Sequence, residues 1–500
     1  MKNSLLFENI FVALLSKIIF YITMLDQSFS LKSFREIFDI ENRKGNNIEK
    51  RFKNDFSESE KKVIELIKIN DKIREEKDLD KKKILYDQRK TIKKERNEII
   101  EQKLEEISNQ INQHRIEILK GKYHGGQSYK FEDNVCNFFI SKKIQENIRE
   151  TYKVRQSSRY AILSQLINLL EDNCPKYVIR TDIKNFYESI PQKILLEKIN
   201  NDYLLSIKTK KFINQIFESY NKLIGQTDAD TAIGVPRGIG ISAYLSELFM
   251  RNVDNQIQEL DDLIYYARYV DDIIAIFVPQ SKKVDDNYLK KYLIRIKEIV
   301  EKEKLFINEE KTKEYNLLNS LSSNNLKNNS INYLGYEIGS TNNKLVIELS
   351  KNKIDKYIKR IKLSFEYFSK KRHHNRKREF KLLSARIKYL TSNTKLRNNK
   401  DKVFVGIYYS NPFLNSDESL KELQEELEEN INQAELTDGE KQKIEKFSFI
   451  EGFKKRTFQV LPLKNKNYKN HNRKIGDVQN ENNKGILQFG ITEITSIWKE

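Results

Sequence analysis

Two adjacent aspartates stand between two strongly apolar runs, and few folds accommodate that. Ile264-Tyr265-Tyr266-Ala267-Arg268-Tyr269-Val270 precedes Asp271-Asp272, and Ile273-Ile274-Ala275-Ile276-Phe277 follows. The pattern predicts a β-hairpin with both acids at its turn. Neighbouring carboxylates repel, and the loss of water beside apolar strands raises their pKa values further. A divalent cation at the turn removes both penalties. A solvent-exposed Asp-Asp turn is the plainer alternative, and the apolar strands on both sides weigh against it.

A second acid completes the pattern. The run Tyr177-Val178-Ile179-Arg180-Thr181 delivers Asp182 at a predicted strand end, before Phe186 and Tyr187. One aspartate after a strand is ordinary. Asp182 and Asp271 arriving from neighbouring strands, with Asp272 beside them, make a site for two Mg²⁺ ions. Such ions prefer oxygen ligands and usually share a few carboxylates with substrate phosphates. Two of them about 3.5–4 Å apart can activate an attacking oxygen and stabilise a leaving one. Phosphoryl transfer of this kind requires no protein nucleophile. The sequence shows no convincing Ser/His/Asp or Cys/His set.

Charge points toward a polyanion. Lys and Arg number 91 against 72 Asp and Glu, a net charge of +19. Nucleic acid is the first candidate partner; an AT-rich genome that favours Lys and Asn codons is the competing explanation. The two cysteines, Cys136 and Cys174, form no CxxC, and with five histidines they offer no zinc-ligand spacing. A disulfide scaffold is equally unsupported, which fits a reducing cytoplasm. Ile10 to Leu25 is apolar apart from Ser16, Lys17 and Thr23. The run is short for a spanning helix and is expected to be a buried or interfacial helix, so no membrane is expected. Met24 is an alternative start.

All six prolines lie at or after Pro175, so the first third lacks that helix breaker. Residues 56–120 are dense in Lys and Glu. Ile100, Leu104, Ile107 and Ile111 recur at steps of four and three, and Ile118 lies seven further on. That spacing predicts an apolar seam in a helical hairpin, either intramolecular or an oligomerisation arm; a charged helix lying on the main body is the alternative. Gly121 to Gly126 reads as a loop between regions. Leu245, Leu248, Phe249, Val253 and Ile257 mark the buried face of one helix. Residues 350–460 read as helical and basic, with Lys370-Lys371-Arg372 and Arg376-Lys377-Arg378 as a charge block. Tyr357, Phe365, Tyr367, Phe368 and Phe380 in that region are expected to be core more than base-stacking platforms. The last thirty residues are rich in Asn and Lys, a composition consistent with partial disorder.

These segments together resemble the bacterial reverse transcriptase family. Asp182 to Tyr187 resembles its motif A. Gly234-Val235-Pro236-Arg237-Gly238-Ile239-Gly240-Ile241-Ser242 resembles motif B, and Tyr269-Val270-Asp271-Asp272 motif C. Leu305-Phe306-Ile307-Asn308-Glu309-Glu310-Lys311-Thr312 resembles motif D, and Tyr333-Leu334-Gly335-Tyr336 motif E. All stand in the family's order.

The resemblance implies an α+β right-hand polymerase fold. A helical extension over 1–125 would precede fingers and an antiparallel palm over 126–345. A helical basic thumb over 346–465 and a basic tail over 466–500 would follow. It implies Asp182, Asp271 and Asp272 as catalytic residues, with the Ile183 carbonyl joining them as a ligand of two Mg²⁺. Lys311 would donate a proton to departing pyrophosphate. Tyr187 would exclude a ribose 2′-OH, beside Phe186, and so select dNTPs. Arg155 and Arg159, four residues apart, could share one helix face on the triphosphate, with Arg149 and Lys153 nearby. Arg237 and Gly238 would lie under the nascent base pair. The chain departs from the family at Arg237, Ala243 and Glu247, where Gln, Pro and Asn are usual. Ordinary template and nucleotide discrimination is thereby in doubt.

No endonuclease, RNase H or integrase pattern is apparent. The motif B variant, with Ser384-Ala385-Arg386-Ile387-Lys388-Tyr389-Leu390-Thr391 and Gly406-Ile407-Tyr408-Tyr409-Ser410-Asn411, most resembles defence-associated reverse transcriptases. Among those the nearest are the first polymerases of the type 3 two-polymerase systems. This implies an RNA template, a dedicated noncoding RNA, a DNA product, a second reverse transcriptase subunit and cytoplasmic antiviral defence, and leaves a homo-oligomer open. A retron or mobile-element polymerase, and an RNA-binding scaffold without activity, are the alternatives.

Overall fold

The computed structural model describes residues 25–123, 126–172, 174–279, 286–317, 330–341, 344–397, 403–456, 458–462 and 489–498. The apolar run expected to form the first helix lies almost wholly outside the described residues, as does the basic tail up to residue 488. The chain divides into two compact units, Met1–Ser158 with Ile179–Glu314, and Arg159–Val178 with Tyr315–Glu500.

In the first unit, helix α1 (Leu31–Arg43) starts at Ser30, whose side chain accepts from the Ser33 N–H. It buries Phe34, Ile37 and Phe38. Helices α2 (Ser57–Glu75) and α3 (Leu79–Gln110) form the expected helical hairpin. Ile100, Leu104, Ile107 and Ile111 are all buried. Helix α3 packs on α1 and on α4 (Val135–Tyr152), so the seam is intramolecular. Ile118 departs from the expectation. The helix is capped at Ile111, and Ile118 opens strand β1 (Ile118–Tyr123). Strand β1 pairs antiparallel with β2 (Gln127–Phe131). The expected Gly121–Gly126 loop is therefore largely a hairpin, with Gly121 inside β1. A Cβ on Gly121 would come 2.6 Å from Ser128 Oγ, which explains the glycine by close strand approach.

A four-stranded sheet carries the expected acids. Its order is β4 (Leu263–Tyr269), β5 (Asp272–Phe277), β3 (Lys176–Asp182), β6 (Lys313–Leu317). Strands β4 and β5 are the expected antiparallel hairpin, with Tyr269 opposite Asp272. Ile273 to Phe277 are fully buried, as continuous apolar strands covered on both faces are. Helix α5 (Gly240–Gln258) buries the anticipated face, Leu245, Leu248, Phe249, Val253 and Ile257. It packs against α4 and β4.

In the second unit, β7 (Ile331–Tyr333), β8 (Tyr336–Thr341) and β9 (Lys344–Leu349) form an antiparallel meander. Helix α6 (Lys351–Thr391) follows, interrupted at Asn375. Tyr357, Phe365, Phe368 and Phe380 are buried in the core, as expected. The charge block is partly neutralised, because Arg376 pairs with Glu440 and Arg378 with Glu493, each at 2.6 Å. The region was expected to be helical throughout, yet it also holds a sheet. Strand β10 (Asn393–Arg397) lies between β11 (Val403–Gly406) and β12 (Phe458–Pro462). The Asn393 side-chain oxygen accepts from the N–H groups of Tyr408 and Tyr409, an order no helical periodicity announces. The end of the tail is also ordered. Phe489 and Ile494 join Leu382 and Leu461 in one buried cluster, with Trp498 packed against it.

Among the described residues, no helix is long and apolar enough to cross a membrane. Cys136 is buried and Cys174 exposed, both free thiols.

Candidate active site

Backbone pairing assembles the site within the first unit. Asp182 ends β3 and is buried. Its neighbour Ile183 donates an N–H to the Asp271 carbonyl at 3.2 Å, tying β3 to the hairpin turn. Asn308 donates to the Asp182 carbonyl at 2.7 Å, and Lys184 to the Phe306 carbonyl at 2.9 Å. The segment Phe306–Asn308 thus flanks Asp182 through the isolated bridge between Ile183 and Ile307. A short 3₁₀ turn over Glu309–Lys311 then returns Lys311, whose Nζ donates to Asp182 Oδ1 at 3.1 Å.

Asp271 sits on the two-residue turn of the β4–β5 hairpin. Burial pushes its carboxyl above the usual range; Asp182 and Asp272 push it the same way, and Lys311 opposes them. Asp272 is oriented differently. Arg180 Nη2 donates to Asp272 Oδ1 at 2.7 Å, and Arg180 Nη1 to the Lys311 carbonyl at 3.2 Å. Arg180 was absent from the expected site. Its signal was present, since residues two apart on a strand share a face and Arg180 stands two before Asp182.

Among the described residues, no three acidic, His or Cys side chains converge as a ready-made metal cage. The donors at hand are the carboxylates of Asp182 and Asp271 and the carbonyl of Ile183. This set is all oxygen with two anionic side chains, and it fits an ion that takes only one or two protein carboxylates and fills the rest with phosphate and water. Asp271, raised by burial and by Asp182, is the observation that asks for a cation there.

Tyr187 is half-buried, and its hydroxyl is pushed up by burial, then by Glu247 and Asp271, which places it in the field of the acids. Phe186 is buried behind it, with ring centroids 5.3 Å apart, so it backs Tyr187 from the core. The Val235 N–H donates to the Tyr187 carbonyl at 2.7 Å and so fixes the glycine loop to this segment. Gly238, at φ +98°, lies against β2, where a Cβ would meet the Tyr129 carbonyl at 2.9 Å. Arg237 is half-exposed, 3.7 Å from Glu188. Arg155 lies exposed in the extended segment after α4, whereas Arg159 opens the helix Arg159–Glu171. The two therefore share no helix face, because α4 ends at Tyr152 and the next helix begins only at Arg159. Arg155 lines a cleft of 560 Å³ with Gln145, Arg149, Gly240 and Tyr244. In the second unit, Arg159 instead donates to the Leu334 carbonyl at 3.0 Å and lies over the Tyr336 ring.

Arg268, Glu247 and Asp254 form a buried charged group that the sequence left unassigned. Burial disfavours the Arg268 charge, but Asp254 and Glu247 outweigh it and hold the guanidinium protonated. Glu247 and Asp254 are seven apart on α5, one face of the helix, and that spacing was the available clue.

Against known families, residues 87–338 match the profile described as reverse transcriptase (RNA-dependent DNA polymerase). Comparison with curated proteins gives no match. Among solved structures, truncated apo telomerase from Candida tropicalis aligns at 15% identity and TM-score 0.29, over 47% of this chain and 55% of that one. Telomerase from Candida albicans with a fragment of telomeric RNA aligns at 14% and TM-score 0.32, over 62% and 57%. Apo telomerase from Candida tropicalis aligns at 14% and TM-score 0.31, over 68% and 62%. The chain thus spans less than two thirds of each of these structures.

Proposed function

The chain belongs to the reverse transcriptase family, and from that premise we propose that it builds DNA on an RNA template by metal-dependent nucleotidyl transfer. The observation that carries this is the meeting of Asp182, at the end of β3, with the turn that bears Asp271. Two Mg²⁺ ions held by Asp182, Asp271 and the Ile183 carbonyl would supply activation of the primer 3′-oxygen and neutralisation of the triphosphate. Asp272, engaged by Arg180, orients the turn beside them. Lys311, 3.1 Å from Asp182, is placed to give a proton to the departing pyrophosphate. Tyr187, backed by Phe186, closes the sugar pocket against a 2′-OH. Arg237, Gly238 and Arg155 line the approach of template and nucleotide.

Fingers and palm over 126–345, thumb over 346–465 and a helical extension over 1–125 are the subdomains this implies. The motif B variant and the Ser384–Thr391 and Gly406–Asn411 segments support a narrower assignment: a bacterial, cytoplasmic, defence-associated enzyme with a dedicated noncoding RNA and a second reverse transcriptase. Purifying the protein and sequencing both the co-purifying RNA and any cDNA made on it tests this. One recurrent RNA copied into DNA supports the assignment, and RNA of random origin with no cDNA contradicts it.

A further inference from the structure

We propose that Arg268 is a positioning residue that sets the geometry of the Asp271 turn and couples it to helix α5. This inference rests on the metal-dependent reading of the site given above. The turn has an unfavourable backbone, because Val270, a β-branched residue, is held at φ 61° in the left-handed region. Such a conformation persists only where its surroundings enforce it. Arg268 Nη1 donates to the Val270 carbonyl at 2.7 Å and fixes the strained peptide directly before Asp271.

The guanidinium is itself immobilised. Nε donates to Asp254 Oδ1 and Nη2 to Asp254 Oδ2, each at 2.8 Å. Nη2 also donates to Glu247 Oε2 at 2.8 Å, and Nη1 to Glu247 Oε1 at 3.2 Å. An arginine has five N–H donors in a rigid fork, and each here has its own acceptor. Asp254 receives a further bond from the Tyr266 hydroxyl at 2.7 Å, which fixes the carboxylate against β4. Arg268 is almost wholly buried and its two carboxylate partners mostly so, which limits competition from bulk water. The group therefore transmits the position of α5 to the carboxylate of Asp271. The Glu247 charge also raises the Tyr187 hydroxyl pKa, after burial, so one carboxylate acts on both the turn clamp and Tyr187.

Lysine cannot replace this arginine, having three donors on a point charge and no fork. Glutamine at 247 keeps the shape but offers one acceptor where the fork needs two. The test uses the full chain with an RNA–DNA primer–template and Mn²⁺ as the spectroscopic substitute for Mg²⁺, bound ion being counted by electron paramagnetic resonance. Arg268→Lys and Glu247→Gln should each weaken Mn²⁺ binding at least tenfold, while circular dichroism and primer–template affinity stay at wild-type values. Wild-type Mn²⁺ affinity in either variant, with its fold retained, overturns the positioning role and leaves the metal site itself standing. If Arg268→Lys does not fold, Glu247→Gln decides by the same two results. A wild-type protein that binds no Mn²⁺ removes the metal reading, and the positioning role with it.

Discussion

The Lys311 ammonium lies 3.1 Å from Asp182 Oδ1, although the two are 129 positions apart in sequence. The lysine side chain is about half exposed, at 54%. An ion pair so open to water contributes little stability, about 0–1 kcal/mol. Under the proposed function its value would be in proton delivery, where a positioned acid contributes roughly 10²–10⁴-fold. Lys311→Ala should therefore lower single-turnover incorporation by about 100-fold while shifting Tm by no more than a few degrees. An unchanged rate removes the proton-donor role.

Tyr187 packs against Phe186 and feels the Glu247 and Asp271 carboxylates, and it is expected to set sugar choice. Replacing it by Val opens the space a 2′-OH needs. Competition between dNTPs and NTPs should then show discrimination reduced by about 10–100-fold, the scale of a lost steric contact, with dNTP kcat little altered. Equal discrimination in the variant would place the gate elsewhere.

Lys353 gives a pH signature. It is half-buried, and its pKa is lowered from 10.5 to about 7, by burial first and then by Arg159 and Lys356, while its Nζ lies over the Tyr336 ring. The folded state therefore gives up this proton near pH 7 and the unfolded chain only near 10.5. Between those values the unfolded state binds more protons, so stability rises with pH, by at most about 1.4 kcal/mol per pH unit. Below pH 7 both states are protonated and the penalty is complete. Thermal unfolding followed from pH 6.5 to 9 should show this rise in the wild type and a flatter profile in Lys353→Met. Parallel profiles contradict it.

The helical hairpin divides into a buried base and an exposed arm. Leu104 is fully buried and Leu79 is 82% exposed. Leu104→Ala should cost about 2–5 kcal/mol through lost burial and an unfilled cavity. Leu79→Ala should stay within about 0.5 kcal/mol. Urea titration of the two variants checks the contrast. Similar losses in both would mean that the arm is covered by another surface in solution.

Much of this site could be read in the sequence because strands and helices announce themselves by period. The apolar runs around Asp271 and Asp272 gave the hairpin, the β-branched run gave β3, and the 3.6-residue spacing from Leu245 to Ile257 gave α5. Side-chain partners across the fold have no such period. Arg180 and Arg268 were visible as residues, but their bonds to Asp272, Glu247 and Asp254 depend on how β3, β4 and α5 are placed. Arg155 and Arg159 share no helix face because spacing of four has meaning only inside a helix, and Arg155 lies in the connection between two helices. The β10–β12 sheet is not legible in the sequence because its strands are short and β11 ends at Gly406 while β12 begins only at Phe458. Ile118 continued a heptad on paper but belongs to a strand, since the helix had already ended at Ile111.

Asp182 and Asp271 are proposed to carry metal-dependent synthesis of DNA on RNA. Its most direct measurement is incorporation of labelled dNTPs on a primed RNA template with and without Mg²⁺, in the wild type, Asp182→Asn and Asp271→Asn. Extension is expected only with Mg²⁺ and only in the wild type, with each variant at least 10³-fold slower (about 4 kcal/mol of lost transition-state stabilisation). Extension that survives in either variant, or none in the wild type with RNA and its partners supplied, would contradict it.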